Sequence, residues 1–321
     1  MKVLFGPVPS RRFGRSLGID LFPSKTCTFD CLYCEVGSNP ERTRRVRQTV
    51  PAEQVLAEIS DYLSAHFREL PDCITFAGSG EPTLYRDIDR IIAGIHHMTT
   101  LPVVLLTNGS LLFRKNIRDR ILAVDVLVPS LDAGSPEVFR RLNRPVSGIT
   151  YDDLITGLME TRQVYRGRYI LEVLLVDGFN TDSEHMKLLA EQIRRIDPDA
   201  VQVNTVFRPP ADRSVHAADA DTINRFVEMV GERAVPVQYY NRAGIVREIK
   251  GDLLEQVILK TVGIRPCTRI ELEDSLGVSE RAMDTAIRRL KERGRLREQV
   301  HAEEAFLCLP ESEQNGDSPQ G

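Results

Sequence analysis

The chain has 321 residues, 42% of them hydrophobic, with 42 Lys/Arg set against 46 Asp/Glu for a net charge of −4. This is the composition of a folded protein with room for one large domain and a smaller one, and near-neutrality excludes a general affinity for nucleic acid or membrane surfaces. The first apolar run, Val3, Leu4 and Phe5, stops at Gly6 and Pro7, too short for a signal segment or a membrane span, so a cytoplasmic, reducing location is expected.

In chain order the first unusual segment is CTFDCLYC, residues 27 to 34. Three cysteines this close in a reducing compartment read as metal ligands rather than disulfides. A closed zinc site needs four ligands, and no second cysteine pair and no histidine stands nearby. A cubane iron–sulfur cluster with three thiolates would leave one iron open to another ligand. Around the triplet, residues 1 to 50 carry nine Lys/Arg against four Asp/Glu, with Arg11, Arg12 and Arg15 before the cysteines and Arg42, Arg44, Arg45 and Arg47 after them. Such a collar either receives an anionic substrate or forms a solvated loop face.

From there the pattern alternates. Apolar runs at 16–22, 73–78, 102–108, 124–132, 169–176 and 200–207 predict strands, and amphipathic stretches at 51–69, 86–98, 135–142, 150–165, 182–196 and 219–231 predict helices. Strands buried on both faces between helices are parallel β/α units, and six of them make either an incomplete barrel or an open doubly wound sheet. In both, function gathers at the strand C-terminal ends. There the small polar residues lie: Gly78-Ser79-Gly80-Glu81-Pro82, Thr107-Asn108-Gly109, Ser130-Leu131-Asp132, Asp177-Gly178 and Asn204-Thr205.

Past residue 252 the rhythm changes to three helical segments, 252–263, 268–278 and 279–294, followed by a strand-like pair. Thr268 with Glu271 forms a capping box and Ser279 an N-cap, so three helices and a hairpin predict a winged helix over 252–310. Residues 311–321 are polar and aromatic-free and are expected to be disordered. Cys73, Cys267 and Cys308, each isolated, are expected in the core, and His96, His97 and His216 belong to no motif.

Cys27-x-x-x-Cys31-x-x-Cys34, with Tyr33 before the last cysteine, resembles the signature of the radical S-adenosylmethionine (AdoMet) superfamily. The resemblance covers residues 10 to 240 and implies a partial (β/α)6 barrel over 1–245, a [4Fe–4S] cluster on the three cysteines and AdoMet on the open iron. Reductive cleavage of AdoMet would give methionine and a 5′-deoxyadenosyl radical that abstracts hydrogen from a substrate. The resemblance further places Gly80 and Glu81 on the AdoMet ammonium, Ser130 and Asp132 at the ribose, Asn108 between them and Tyr33 beside the adenine. Ser79 stands where the family has a glycine.

More narrowly, residues 6 to 37 resemble a prokaryotic group related to the wyosine-base-forming tRNA enzymes. That relationship allows tRNA as a substrate, with reduced flavodoxin or ferredoxin as electron donor. Those enzymes carry further cysteines upstream for a second cluster, and no cysteine precedes Cys27. Two other classes compete: an iron–sulfur electron carrier, which has no use for the AdoMet-type turns, and an iron–sulfur-sensing regulator that binds DNA through the winged helix. Arg288, Arg289, Lys291 and Arg293 favour the regulator, but residues 252 to 310 hold ten Lys/Arg against eleven Asp/Glu, with Glu303 and Glu304 at the hairpin tip. Duplex DNA is therefore not the expected partner, and the module is expected to dock substrate or a partner protein.

Overall fold

A computed structural model of the chain describes residues 3–10, 12–39, 42–237, 251–276, 278–301 and 304–310. The expectation of disorder over 311–321 and the position of Arg11 lie outside them. The first body is an eight-stranded sheet whose spatial order is its sequence order: β1 (Leu4–Ser10), β2 (Gly14–Ile19), β3 (Cys73–Phe76), β4 (Val103–Thr107), β5 (Val126–Pro129), β6 (Arg168–Leu175), β7 (Ala200–Thr205) and β8 (Ala234–Pro236). β1 and β2 are antiparallel, and every later pair is parallel.

This order decides between the two sheets that periodicity left open. A doubly wound sheet reverses its strand order at a switch point. Here the order never reverses, so every crossover proceeds the same way and the sheet is a partial barrel. Its parallel part holds seven strands rather than six. β8, Ala-Val-Pro, is too short to show an alternation. β1 went unpredicted because Pro7 and Pro9 interrupt it, which an edge strand tolerates.

Helices α1 (Ala52–Ala65), α2 (Ile88–Met98), α3 (Lys115–Arg118), α4 (Pro136–Val138), α5 (Tyr151–Val164), α6 (Ser183–Ile196) and α7 (Ala220–Val230) connect the strands. Their starts have local causes: Thr150 and Asp153 form a reciprocal capping box, and the Asp182 and Asp219 carboxylates accept first-turn amides. None of the helices among the described residues is long and apolar enough to cross a membrane.

The two-residue period of the strands divides the barrel. Ile74, Phe76, Val103, Leu105, Leu127, Leu171, Val173, Val201 and Val203 belong to the large core under the helices. Their alternates Cys73, Val104, Val128 and Ile170 form a smaller cluster on the opposite, inner face. Farther along the same inner face the residues turn polar at Thr75, Glu172 and Asn204, around a cavity of about 300 Å³.

After the barrel come α8 (Gly251–Ile264), β9 (Cys267–Thr268), α9 (Arg269–Leu276), α10 (Glu280–Glu292), β10 (Arg297–His301) and β11 (Glu304–Cys308), the strands forming a separate antiparallel sheet in the order β10-β11-β9. The expected caps are present: the Thr268 amide donates to Glu271 at 3.0 Å, Glu271 returns its amide to the Thr268 hydroxyl at 3.1 Å, and the Ser279 hydroxyl accepts from Ala282. These elements have their own apolar core, yet they are fastened to the barrel. Lys260 donates to the Leu4 carbonyl, His301 to Val206 at 3.1 Å, and Phe306 meets Phe207 edge to face.

The deepest fastening is Arg208, 2% exposed, which reaches Glu35 at 3.2 Å on one side and Glu271 of α9 on the other. Burial by itself lowers the guanidinium pKa, and the two carboxylates more than reverse this and hold it above the ordinary value. Removing one partner of a buried pair strands the remaining charge. Arg208→Ala is therefore expected to cost about 3–5 kcal/mol of unfolding free energy by urea denaturation and to open the α9 junction to limited proteolysis. A loss under about 1 kcal/mol would mean that the three groups merely break even.

Candidate active site at the barrel rim

The cysteine loop leaves β2 and is stitched across three strand ends. Thr26 donates its amide to the Ser79 carbonyl at 2.8 Å and accepts from the Glu81 amide at 2.9 Å. A Cβ on Gly80 would stand 1.8 Å from the Thr26 carbonyl oxygen, so this position admits only glycine, and the close approach is to the cysteine loop itself. Farther along, Leu32 donates to Leu142 at 3.0 Å, Val146 to Thr28 at 2.8 Å, and the buried Asn39 amide to the carbonyls of Cys27 and Phe29.

All six cysteines are free thiols. Cys27, Cys31 and Cys34 are half-buried, while Cys73, Cys267 and Cys308 are buried in the core as their surroundings in sequence implied. The first two site thiols are met by amide donors: Asn108 Nδ2 lies 3.3 Å and the Phe29 amide 3.5 Å from Cys27 Sγ, and Asn143 Nδ2 lies 3.5 Å from Cys31 Sγ. Burial pushes the Cys27 thiol up to about 12, the Glu81 charge adding to it. Cys31 is likewise held well above the ordinary thiol value, by burial and then by the charges of Cys34 and Cys27. Ionising them needs a cationic partner.

Among the described residues no three His, Cys, Asp or Glu side chains gather closely enough to hold a single metal ion. Three thiols from one loop that influence one another electrostatically suit a polynuclear centre, and the N–H donors at Cys27 and Cys31 suit its thiolates. The donor set therefore fits a three-thiolate iron–sulfur cluster.

Glu81, at the end of the β3 turn, is 1% exposed and spends its carboxylate on protein donors. Oε1 accepts from the Thr83 amide at 3.0 Å, the Thr83 hydroxyl at 2.6 Å and the Thr107 hydroxyl at 2.7 Å, and Oε2 accepts from the Asn108 amide at 2.7 Å. Burial raises its pKa despite these bonds. Asn108 passes the constraint on, since its side-chain amide also donates to Thr28 at 2.9 Å. Asp132, 3% exposed, is similarly committed: Oδ1 accepts from the Leu174 amide at 2.9 Å, and Oδ2 from Asn143 at 3.1 Å and from the Tyr33 hydroxyl. Burial lifts it to about 6 and, together with the Asp132 charge, lifts Tyr33 as well.

Ser130 differs from these. It directly follows β5, half-buried, and among the described residues its hydroxyl has no partner. Of the residues singled out at the rim, Tyr33, Cys34, Gly78 and Asn204 line the cavity. Glu81, Asn108 and Asp132 do not line it and lie in the shell that shapes it.

Several residues escaped the sequence reading. Asn143 touches Cys31, Tyr33 and Asp132 from the π-helical turn Phe139–Asn143 that follows α4. Asp20 locks the glycine turn, accepting from the Ser79 amide at 3.0 Å and the Ser79 hydroxyl at 2.6 Å. That second bond gives the serine a use where the resemblance expected glycine. Glu172 pairs with Arg12 at 2.6 Å inside the barrel, and a carboxylate in the apolar run YILEVLLV was the available signal. The arginines that follow the cysteines are solvent-exposed, with Arg42 donating to the Arg144 carbonyl at 2.9 Å and Arg44 to Gly148 at 3.1 Å.

Glu81→Ala would leave the buried donors of Thr83, Thr107 and Asn108 unpaired, at roughly 1–3 kcal/mol for each group that finds no water. A drop in the melting temperature of the metal-free protein is expected. A carboxylate that served a bound ligand alone would leave that temperature unchanged.

The family model of the radical SAM superfamily matches residues 21–197. A protein of Brachyspira hyodysenteriae named GTPase Obg is 33% identical over 93% of this chain, which spans only 44% of that protein. A UPF0026 protein of Methanocaldococcus jannaschii is 27% identical over 88% of this chain and 89% of its own. Among solved structures, a radical SAM methyltransferase from Sphaerobacter thermophilus superposes with a TM-score of 0.52 at 18% identity, covering 69% of this chain and 66% of the other, a likeness of fold. With more than half of the chain inside the family match and the cysteine loop within it, the protein belongs to the radical SAM superfamily, whose members are enzymes that use a [4Fe–4S] cluster and S-adenosylmethionine.

Proposed function

We propose that Cys27, Cys31 and Cys34 bind three irons of one [4Fe–4S] cluster, that AdoMet completes the fourth, and that a small substrate loses hydrogen in the barrel cavity. The observation that carries this reading is the thiol triplet on one loop at the barrel rim, with Cys27 and Cys31 met by amide donors. When bound, cluster and AdoMet supply the one-electron chemistry. The chain's part is to place them and keep water out.

In this reading Tyr33 and the Gly78–Gly80 turn border the AdoMet site, and the unpartnered Ser130 hydroxyl is offered to the ribose. Glu81, Asn108 and Asp132 act as positioning residues: the carboxylates fix Asn108, Asn143 and Tyr33, and the two amides meet the cysteine sulfurs. This departs from a direct contact between Glu81 and the AdoMet ammonium, because four buried protein donors already occupy its carboxylate. Reduced flavodoxin or ferredoxin is the proposed electron donor. A cavity of about 300 Å³ is at the small end for ligand sites, so an RNA substrate would present a single unit to it.

Three helices and a three-stranded antiparallel sheet support the winged-helix reading of the C-terminal elements. Duplex recognition is not supported. Arg289 and Arg293 of the third helix face Glu255 at 3.8 and 2.7 Å, and Lys291 pairs with Glu298, which leaves little charge for phosphates. The buried Arg208 contact and the cavity-lining Ile264 and Arg265 support a wall of the reaction chamber instead.

Ala substitution of Cys27, Cys31 or Cys34 is expected to abolish the bound cluster, measured as iron content and visible absorption after anaerobic reconstitution, while Cys73→Ala keeps it. Wild-type protein given AdoMet and dithionite should release 5′-deoxyadenosine. Retention of a full cluster by the Cys34 variant, or its loss from the Cys73 variant, would overturn the assignment.

A further inference from the structure

The charges that line the barrel cavity are not equally satisfied. Arg12 is 2.6 Å from Glu172, whose other oxygen accepts from Asn204 at 3.3 Å. Arg208 is held by Glu35 and Glu271. Arg265, contributed by the C-terminal elements directly after α8, lines the same cavity, and among the described residues its guanidinium has no hydrogen bond or counter-charge. A half-buried cation on a cavity wall, without a counter-charge from the protein, is open to pairing with an anion that enters the cavity.

Resting on the assignment of this cavity as the reaction chamber, we propose that Arg265 anchors the anionic group, a carboxylate or a phosphate, of a small substrate. The planar guanidinium fork matches either group in two-point fashion. Arg12 and Arg208 already carry protein carboxylates, so their charge is compensated before any substrate arrives. Substrate charge would thus be read by a residue outside the barrel, with the barrel's own arginines already neutralised. The competing explanation is local: a cation just past a helix C-terminus is favoured by the helix dipole. That role needs no ligand, and the two separate experimentally.

The test uses the reconstituted holoenzyme and the rate at which phenylglyoxal modifies individual arginines, followed by peptide mass spectrometry, with exposed Arg281 as internal reference. Inorganic phosphate and acetate are the probes. Millimolar probe is expected to slow modification of Arg265 severalfold relative to Arg281, saturably, while chloride at equal ionic strength does not. The stronger protector distinguishes a phosphate from a carboxylate substrate. Equal protection by chloride, or full protection by AdoMet alone, would overturn the proposal, the latter by giving Arg265 to the cosubstrate.

Calorimetric affinity for the better probe should fall roughly tenfold or more in Arg265→Gln, the loss of one charge-assisted bond. A lowered melting temperature with unchanged anion affinity would instead assign Arg265 to the helix end. Failure of wild-type protein to release 5′-deoxyadenosine sinks the broader reading and leaves the anion result standing.

Discussion

The rim of this barrel is organised around a buried carboxylate that the protein keeps for itself. Glu81 accepts four hydrogen bonds from Thr83, Thr107 and Asn108, and thereby joins the turn after β3 to the end of β4. Burial penalises its charge, and only a full complement of donors makes that charge tolerable. Because the donors come from two strand ends, neither end can move without leaving a polar group unpaired. The constraint then passes through Asn108 to the Cys27 sulfur. Asp132 does the same from β5, through Tyr33 and Asn143, at the Cys31 side. Both cysteine contacts are thus set by amides that buried carboxylates or their neighbours hold in place, the arrangement a metal centre requires of its surrounding hydrogen bonds.

A second consequence concerns the open edge of the barrel. A sheet of eight strands in sequential order has two edges, and β1 leaves its own beside the C-terminal elements. Arg208 closes the junction by spanning Glu35, the residue after Cys34, and Glu271 of α9. The cysteine loop, the end of β7 and the C-terminal helices are therefore parts of one charge arrangement. Appended elements that share a buried charge with the cysteine loop and supply Ile264 and Arg265 to the cavity wall are tied to the barrel in energetic terms, whatever fold they resemble.

Much of this was legible from local pattern. The apolar runs at 73–78, 102–108 and 169–176 mark strands because both faces of each are buried, and Thr150, Asp182 and Ser279 announce helix starts because their side chains satisfy first-turn amides in place. The triplet of cysteines is equally local, since one loop supplies all three thiols. Ser130 shows the boundary: its position after a strand was readable, but its lack of a partner was not. β1 shows another, because prolines that argue against a strand in sequence are harmless once that strand lies at an edge.

The sequence by itself determined the β/α alternation, the helix caps and the clustered thiols, all of which depend on residues within a few positions of one another. Tertiary structure alone decided which carboxylates are consumed by protein donors and, among the described residues, that Arg265 keeps no counter-charge. Arg208 meets Glu35 across 173 positions and Glu271 across 63, and Glu81 finds Thr107 across 26. The partner of a buried charge is whatever the topology brings within about 3 Å, and burial makes that choice decisive because an unmatched charge there costs several kcal/mol. No periodicity encodes it.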